Sequence, residues 1–550
     1  MIDHNGLLDF KSTKNRFHQV CTHFFAFLVA ACGGSNSNKQ DIDHTIGFSA
    51  QYQPPQADYT RPNTPDINFK ILEPDYINPY WVDALIMDNG ELLISNLLLN
   101  NERSMTFSFP EELPAYLPVS ILGWMPANQH IQHSARDIFE KLSEILNVEF
   151  QEDISEGGYN VISISQSIQV NSAGFSYFPS EFYQIGSDVF LARTYSKPEL
   201  LGSGLTNYDY EVLIHEIGHA LGLKHPFESD GNNKQVLSVN EDNTQYTVMS
   251  YTDNPSTFDG SFRSLDWMAL TKLYGINPLY NSGDDTYEFN EQKSLFIMDG
   301  NGVDLINCEG SDIDTFIDLR VGSHSFQDVK SQLITDSRQM TISHGSQIEN
   351  VKTGSGNDQI IGNSLNNYIN SGGGNDKIFA GDGKDIIDSG SGIDIIDLSE
   401  ETNFQDKLIF DLTHAKEGHD TIFGFTQGTD GDLLQFTNFG VDELNFLPIV
   451  DLKNAPQGGI TGCILRVFGE NLDNSNDLKA SLNAGGLLES FSLSELGSAI
   501  LLTSNSKNTG ENQNLFLASR HNETTDVNHL ASFVGNYLDI DIWTTDNFII

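Results

Sequence analysis

Positive charge is what this chain has least of. Twenty-nine Lys plus Arg stand against 76 Asp plus Glu, a formal net charge of −47, yet charged residues are only 19% of the 550. The acidity therefore comes from scarce cations. A polyanion would be repelled by this field, which excludes wholesale nucleic-acid binding. Cysteine is also scarce: Cys21, Cys32, Cys308 and Cys463 show no C-x-x-C spacing, so neither a cysteine zinc site nor a disulfide framework is supported. Long apolar runs are missing. The run Phe24–Ala31 has eight residues, far short of the roughly 20 that span a bilayer. What is present suffices for folding. Apolar residues make up 38% and aromatics 10%, enough for real cores, and the length suggests about three domains.

The N-terminus carries Lys11, Lys14 and Arg16, then Phe24–Ala31, then Cys32-Gly33-Gly34-Ser35. An apolar stretch of this size suits a signal segment rather than a buried core element. Val29-Ala30-Ala31-Cys32 resembles a bacterial lipoprotein cleavage box, in which the Cys becomes the lipidated first residue. Residues 1–32 are thus expected to be a lipoprotein-type signal, and the mature protein to be secreted, or anchored by a lipid on Cys32 to the outer surface of a bacterium. Residues 33–70, with Pro54, Pro55, Pro62 and Pro65, read as a polar linker or pro-segment. The end, Asp546-Asn-Phe-Ile-Ile550, resembles a type I secretion signal. The two signals belong to different export machineries, and the N-terminal one is favoured because its box is more specific. Both routes lead outside.

From 71 to 280 the composition is that of a globular domain. Apolar residues recur at helical spacing over Ile131–Leu146 and again over Tyr210–Leu223, whereas Val161–Ser165 and Asp188–Ala192 read as strands. Within the second helix lies H-E-I-G-H-A-L-G-L-K-H, residues 215–225. His215 and His219, four apart, project from one helix face a turn apart and offer two nitrogens to one metal. Glu216 sits beside them as a general base. Gly222 permits the chain to leave the helix and return His225 as a third ligand. Three neutral imidazoles leave a coordination position for water, the mark of a catalytic zinc site.

This pattern resembles the metzincin metalloproteases. Tyr246-Thr-Val-Met249-Ser-Tyr251 looks like their Met-turn, with Met249 as the floor beneath the metal. The resemblance is closest to the serralysins, through His225-Pro226, Glu241-Asp-Asn-Thr-Gln-Tyr246 and Lys272-Leu-Tyr-Gly275, and it covers about 110–400. It implies that Tyr251 is a further zinc ligand that also hydrogen-bonds the developing oxyanion. It also implies that an extended peptide pairs with an edge strand, placed here at Asp188–Ala192.

The texture changes after Tyr280. Residues 281–450 hold 30 acidic and 9 basic residues, a net of −21. Read in nines from Thr353 to Asp397, the segments TGSGNDQII, GNSLNNYIN, SGGGNDKIF, AGDGKDIID and SGSGIDIID fit the RTX pattern of a parallel β-roll. Each turn offers Gly carbonyls and an Asp carboxylate to Ca²⁺, which takes six to eight oxygens. The Asp positions are Asp358, Asp376, Asp385 and Asp394, and the glycines are Gly354, Gly356, Gly372, Gly374, Gly381, Gly383, Gly390 and Gly392. Ile360, Ile378, Ile387 and Ile396 follow each acid by two and should point inward. Asn367 and Leu365 break the pattern in the second nonad, where a site should be weak or absent.

The expected architecture is an α+β metzincin catalytic domain (71–280), an all-β parallel β-roll with the RTX repeats (281–400), and a mostly β C-terminal region (401–550). The expected function is that of a monomeric zinc endopeptidase acting on protein or peptide substrates, with one catalytic Zn²⁺ and several structural Ca²⁺. The alternative is a calcium-dependent surface adhesin or structural protein whose peptidase domain is inactive.

Overall fold

The computed structural model describes residues 31–33, 79–154, 159–169, 172–193, 207–254, 260–400, 404–415, 418–438, 445–446, 450–451, 463–468, 475–482, 498–504, 512–521, 524–534, 543 and 547–549. Most of the expected signal segment and linker lies outside these residues. The chain divides into two units, Met1–Tyr280 with Ser343–Gly345, and Asn281–Ile342 with Ser346–Ile550.

In the first unit six strands lie in one row of a sheet: β1 (Ala31–Gly33), β2 (Ser104–Ser108), β3 (Glu149–Asp153), β4 (Val161–Ser167), β5 (Ser172–Ser176) and β6 (Val189–Ala192). Their order is β1-β5-β6-β4-β2-β3, and the short segment Met125–Pro126 pairs with β4 off this row. Strands β3, β2, β4 and β6 run parallel, β5 is antiparallel to β6, and β1 is antiparallel to β5. Central β4 is buried at six successive positions, as a strand covered on both faces must be. The expectation that Asp188–Ala192 is the edge strand fails, because β6 lies between β4 and β5. On that side β5 lies outside β6, and among the described residues the three-residue β1 pairs beyond it. The Ser-Ala-Gly-Phe-Ser sequence of β5 carries too little β-propensity to announce itself.

Helix α1 (Gln129–Ile145) starts where the Asn128 side chain accepts from the His130 and Ile131 amides, each at 3.0 Å; such a cap contributes about 1 kcal/mol. Its apolar stripe is buried, with Phe139 stacked 4.3 Å from Phe107 and 5.2 Å from Phe150. Helix α2 (Asn207–Ala220) ends earlier than its apolar pattern suggests. There the chain turns through Gly222 at φ +99, and the Leu223 amide bonds back to Gly218 O at 2.9 Å. Helix α3 (Ser264–Tyr274) packs with the earlier helices Tyr80–Asp83 and Gly90–Asn100.

In the second unit the nonads alternate between two parallel sheets. Gln359–Ile361, Lys377–Phe379, Ile395–Asp397 and Asp420–Phe423 stack in one. Asn350–Lys352, Tyr368–Asn370, Ile386–Asp388, Lys407–Asp411 and Leu433–Thr437 stack in the other. Residues one full turn apart thus become neighbours, as a β-roll requires. Ile360, Ile378, Ile396 and Ile422 form one inward ladder; Val351, Ile369, Ile387, Leu408 and Leu434 form the facing one, all within 2% of full burial. Each contributes roughly 2 kcal/mol of burial. The turns admit only glycine at tight points: a Cβ on Gly374, at φ +119, would lie 1.9 Å from Gly356 O.

The C-terminal region extends these sheets. Ser498–Ser504, Gln513–His521 and Thr524–Val534 form an antiparallel meander that joins Asp420–Phe423 in parallel. The apolar tail expected as an export signal supplies Phe548–Ile549, a strand paired with Leu433–Thr437.

Candidate metal centre

Helix α2 carries His215, Glu216 and His219, and the turn after it returns His225 to the same point. The three imidazoles are 5%, 1% and 3% exposed for His215, His219 and His225. The Nε2 atom of His225 lies 3.1 Å from that of His219 and 3.3 Å from that of His215. The outer nitrogens are each engaged: His215 Nδ1 with Val248 O and His219 Nδ1 with Leu223 O, both at 2.7 Å, and His225 Nδ1 with Glu228 Oε2 at 3.2 Å. Carbonyls and carboxylates only accept, so each ring carries its proton on Nδ1 and presents a lone pair at Nε2. Three lone pairs facing one another this closely repel unless a cation lies among them. Burial, and then the neighbouring His225, push His215 down to about 3 and His219 well below the usual range, so both rings stay neutral. The donor set and its convergence fit zinc.

Glu216 is fully buried, and β5 passes directly over it. A Cβ on Gly174 would lie 2.8 Å from both Glu216 Cγ and Oε1, so only glycine lets the strand approach the carboxylate this closely. Met249 is also fully buried; its Sδ would lie 2.7 Å from a Cβ on Gly218 of α2. Its turn is fastened by Asp266 on α3, which accepts from Thr247 Oγ1 at 2.6 Å and from the Val248 and Arg263 amides at 2.8 Å. Asp266 therefore reaches His215 through Val248, whose N–H donates to Asp266 and whose carbonyl accepts from His215. Tyr251 is 43% exposed and sits over the histidines, its ring 5.8 Å from His215, 4.6 Å from His225 and 5.0 Å from Phe227. The structure thus gathers His215, Glu216, His219, His225, Met249 and Tyr251 into one place. Asp266, Glu228 and the buried Lys224 are additions that no local motif announces.

The second unit holds a carboxylate ladder. Asp358, Asp376 and Asp394 are buried, and each backbone N–H donates to Oδ1 of the acid one turn on: Asp358 to Asp376 at 2.8 Å, Asp376 to Asp394 at 2.9 Å, Asp394 to Asp420 at 3.0 Å. On the other side Asn367 donates to Asp385, Asp385 to Asp406 and Asp406 to Asp432, at 2.8 to 2.9 Å. The Oδ2 atoms of Asp358, Asp376, Asp385, Asp394 and Asp406 are buried without a hydrogen-bond partner. That is the disposition a calcium ion would satisfy.

Gly354 O and Gly372 O accept backbone N–H groups of neighbouring turns. Gly356 packs beneath Gly374, and Gly372, Gly374, Gly381, Gly383, Gly390 and Gly392 all adopt positive φ. Asn367 satisfies itself instead, donating to Glu349 O at 2.9 Å and Asn363 Oδ1 at 3.1 Å.

Two groups of acids go beyond the expected set. Asp406, Asp420 and Asp432 continue the ladders across longer turns. Asp285, Asp299 and Asp304 bring carboxylate oxygens within 4.8 Å of one another, and Asp304 Oδ2 is buried without a partner. The signal was available in both groups, since Asp304, Asp406, Asp420 and Asp432 are each followed at the second position by a buried apolar residue.

Comparison with known proteins agrees with this geometry. Residues 183–264 match the family described as Metallo-peptidase family M12B Reprolysin-like, and residues 361–396 match the RTX calcium-binding nonapeptide repeat in four copies. The chain is 31% identical over 287 residues to a serralysin of Photorhabdus sp. (strain Az29), covering 47% of this chain and 58% of that protein. It is 30% identical over 308 residues to a serralysin of Proteus mirabilis, covering 49% and 61%. It is 30% identical over 297 residues to Metalloprotease AprA of Pseudomonas entomophila (strain L48), covering 48% and 60%. The chain thus carries a reprolysin-like metallopeptidase domain followed by RTX repeats. It is homologous to serralysins over about half its length, and spans about three-fifths of the length of these relatives.

Proposed function

We propose that this homologue of the serralysins is a secreted zinc endopeptidase whose second unit is a calcium-stabilised β-roll. The observation that carries the proposal is the convergence of three Nε2 lone pairs at 3.1–3.3 Å beside a buried glutamate and under β5. His215, His219 and His225 would hold the metal, with Tyr251 as a fourth protein ligand. When bound, zinc supplies a Lewis acid that makes water acidic near neutrality and polarises a carbonyl.

The remaining steps belong to the chain. A peptide lies extended along β5 and is held by main-chain hydrogen bonds, a place where Ala31–Gly33 itself pairs antiparallel. Glu216 takes the proton of the attacking water and passes it to the leaving amine. The Tyr251 hydroxyl donates to the developing oxyanion. Met249 and the Asp266-fastened turn keep the floor of the site rigid. Calcium would be held by Asp358, Asp376, Asp385 and Asp394 with the glycine carbonyls of the turns. Asp406, Asp420 and Asp432 would extend the series, and Asp285, Asp299 and Asp304 would make a separate site. Secretion, with or without a lipid on Cys32, supplies the calcium.

Casein cleavage by Glu216→Ala and Glu216→Gln variants tests the assignment. Both should bind zinc as the parent does and lose at least ~10²-fold in kcat, the range of general-base loss. Undiminished cleavage would sink the mechanism, and an intact fold with zinc bound but no parent activity would favour a structural or adhesive role.

A further inference from the structure

The three imidazoles differ in what holds their outer nitrogens. His215 and His219 lean on neutral backbone carbonyls, Val248 O and Leu223 O, while His225 leans on a carboxylate, Glu228 Oε2. His225 is also the one histidine of the three that no helix positions, since it follows the turn through Gly222. We infer that Glu228 is a positioning residue that fixes the tautomer and orientation of His225 and strengthens its hold on the metal. The inference rests on the zinc-centre reading above.

The local structure places Glu228 for this role. Lys224, 2% exposed, sends its ammonium to three carbonyls: Ala84 O at 2.6 Å, Glu228 O at 2.9 Å and Gln235 O at 2.9 Å. Its own backbone N–H bonds Leu85 O at 2.7 Å. The 224–228 turn is therefore pinned at both ends, with the Glu228 amide closing back on His225 O at 3.3 Å. On the ring's face, Phe227 stacks at 5.1 Å and 7°, which allows rotation within the plane but not tilting. The Glu228 carboxylate removes that last freedom. As the acceptor it obliges His225 to carry its proton on Nδ1, and its negative charge makes Nε2 a better donor to a cation. Asp242, which accepts from Ser250 Oγ at 2.6 Å, is a second carboxylate in the field of His225. The contribution of Glu228 must be separated from it. Because the Glu228 side chain is 44% exposed, its effect should be screened by salt.

The test uses the full calcium-loaded chain and measures the zinc dissociation constant by competition with a chelator. Glu228→Ala should weaken zinc binding by about 10–100-fold. Glu228→Gln, which keeps an acceptor oxygen but not the charge, should fall between. Asp242→Asn should move the constant less than Glu228→Ala does. The deficit of Glu228→Gln should shrink in 1 M salt. Nitrogen-15 spectra of the zinc-free variants add a readout that a merely structural role would not move: His225 should be Nδ1-protonated in the parent and a mixture of tautomers in Glu228→Ala. Equal zinc constants for parent and Glu228→Ala would overturn the inference. Undiminished zinc binding by His219→Ala would instead overturn the metal-centre reading beneath it.

Discussion

Removing calcium should make the stability of the second unit strongly and unusually dependent on pH. Burial pushes the carboxyls of Asp376 and Asp406 up to about 8, Asp385 up to about 7, and Asp394 and Asp432 up to about 6; neighbouring acids of the ladder add to the push on Asp376 and Asp406, and Glu400 and Asp382 add to that on Asp385. In the unfolded chain these groups titrate near 4. Below that pH they are protonated in both states and cost nothing. As pH rises through the folded values the unfolded chain has already ionised, so calcium-free stability falls across pH 4–8. Each tenfold change in proton affinity is worth about 1.4 kcal/mol, so Asp376 and Asp406 each represent an upper bound on the order of 5 kcal/mol. Two such groups match the whole stability of an ordinary domain, about 5–15 kcal/mol.

The calcium-free roll is therefore predicted to be ordered at pH 5 and largely unfolded at pH 8. Calcium, which binds the ionised form, should abolish the dependence and release protons as it binds. Circular dichroism of calcium-free protein from pH 4 to 9, repeated with calcium, measures this directly. A calcium-free roll as stable at pH 8 as at pH 5 would refute the reasoning.

Other perturbations follow from single contacts. Asp376→Asn should stabilise the calcium-free roll at pH 8 while weakening calcium binding, both visible by calorimetry. Gly174→Ala should drive a methyl into Glu216 and lower kcat at least ~10-fold with zinc content unchanged, since about 1.4 kcal/mol of lost transition-state stabilisation suffices. Lys224→Met should strand three carbonyls and cost about 3 kcal/mol of first-unit stability in a denaturant melt. Because Ala31–Gly33 pairs along β5, a chain beginning after Gly34 should show a lower KM for casein than one retaining that segment, and an equal KM would remove any occluding role for it.

The proposed zinc ligands were legible because a helix and one turn suffice to bring them together, so spacing alone encodes the geometry. The repeats were legible for a similar reason, since period nine maps onto the alternating half-turns of the roll. Asp406, Asp420 and Asp432 escaped because longer inserts break that period even though the D-x-apolar pattern persists. The outer strand was misassigned because β5 is rich in Ser and Gly, while β6, one residue shorter, reads as the stronger strand; which of two neighbours lies further out is a tertiary fact. Asp266 holds Thr247 and Val248, 19 and 18 residues away, and Lys224 reaches Ala84, 140 residues away, and no local pattern contains such pairs. The acidity, ambiguous as a total, resolves in part into buried carboxylates whose orphaned oxygens are the proposed calcium ligands.

The central claim is that three histidines and Glu216 form one catalytic centre. Zinc titrated into metal-free chain, with casein cleavage followed at each step, tests it most directly. Activity should rise linearly and saturate at one zinc per chain in the parent, while Glu216→Gln takes up the same zinc and stays inactive. Cleavage by the metal-free chain, or equal cleavage by Glu216→Gln, would contradict the account.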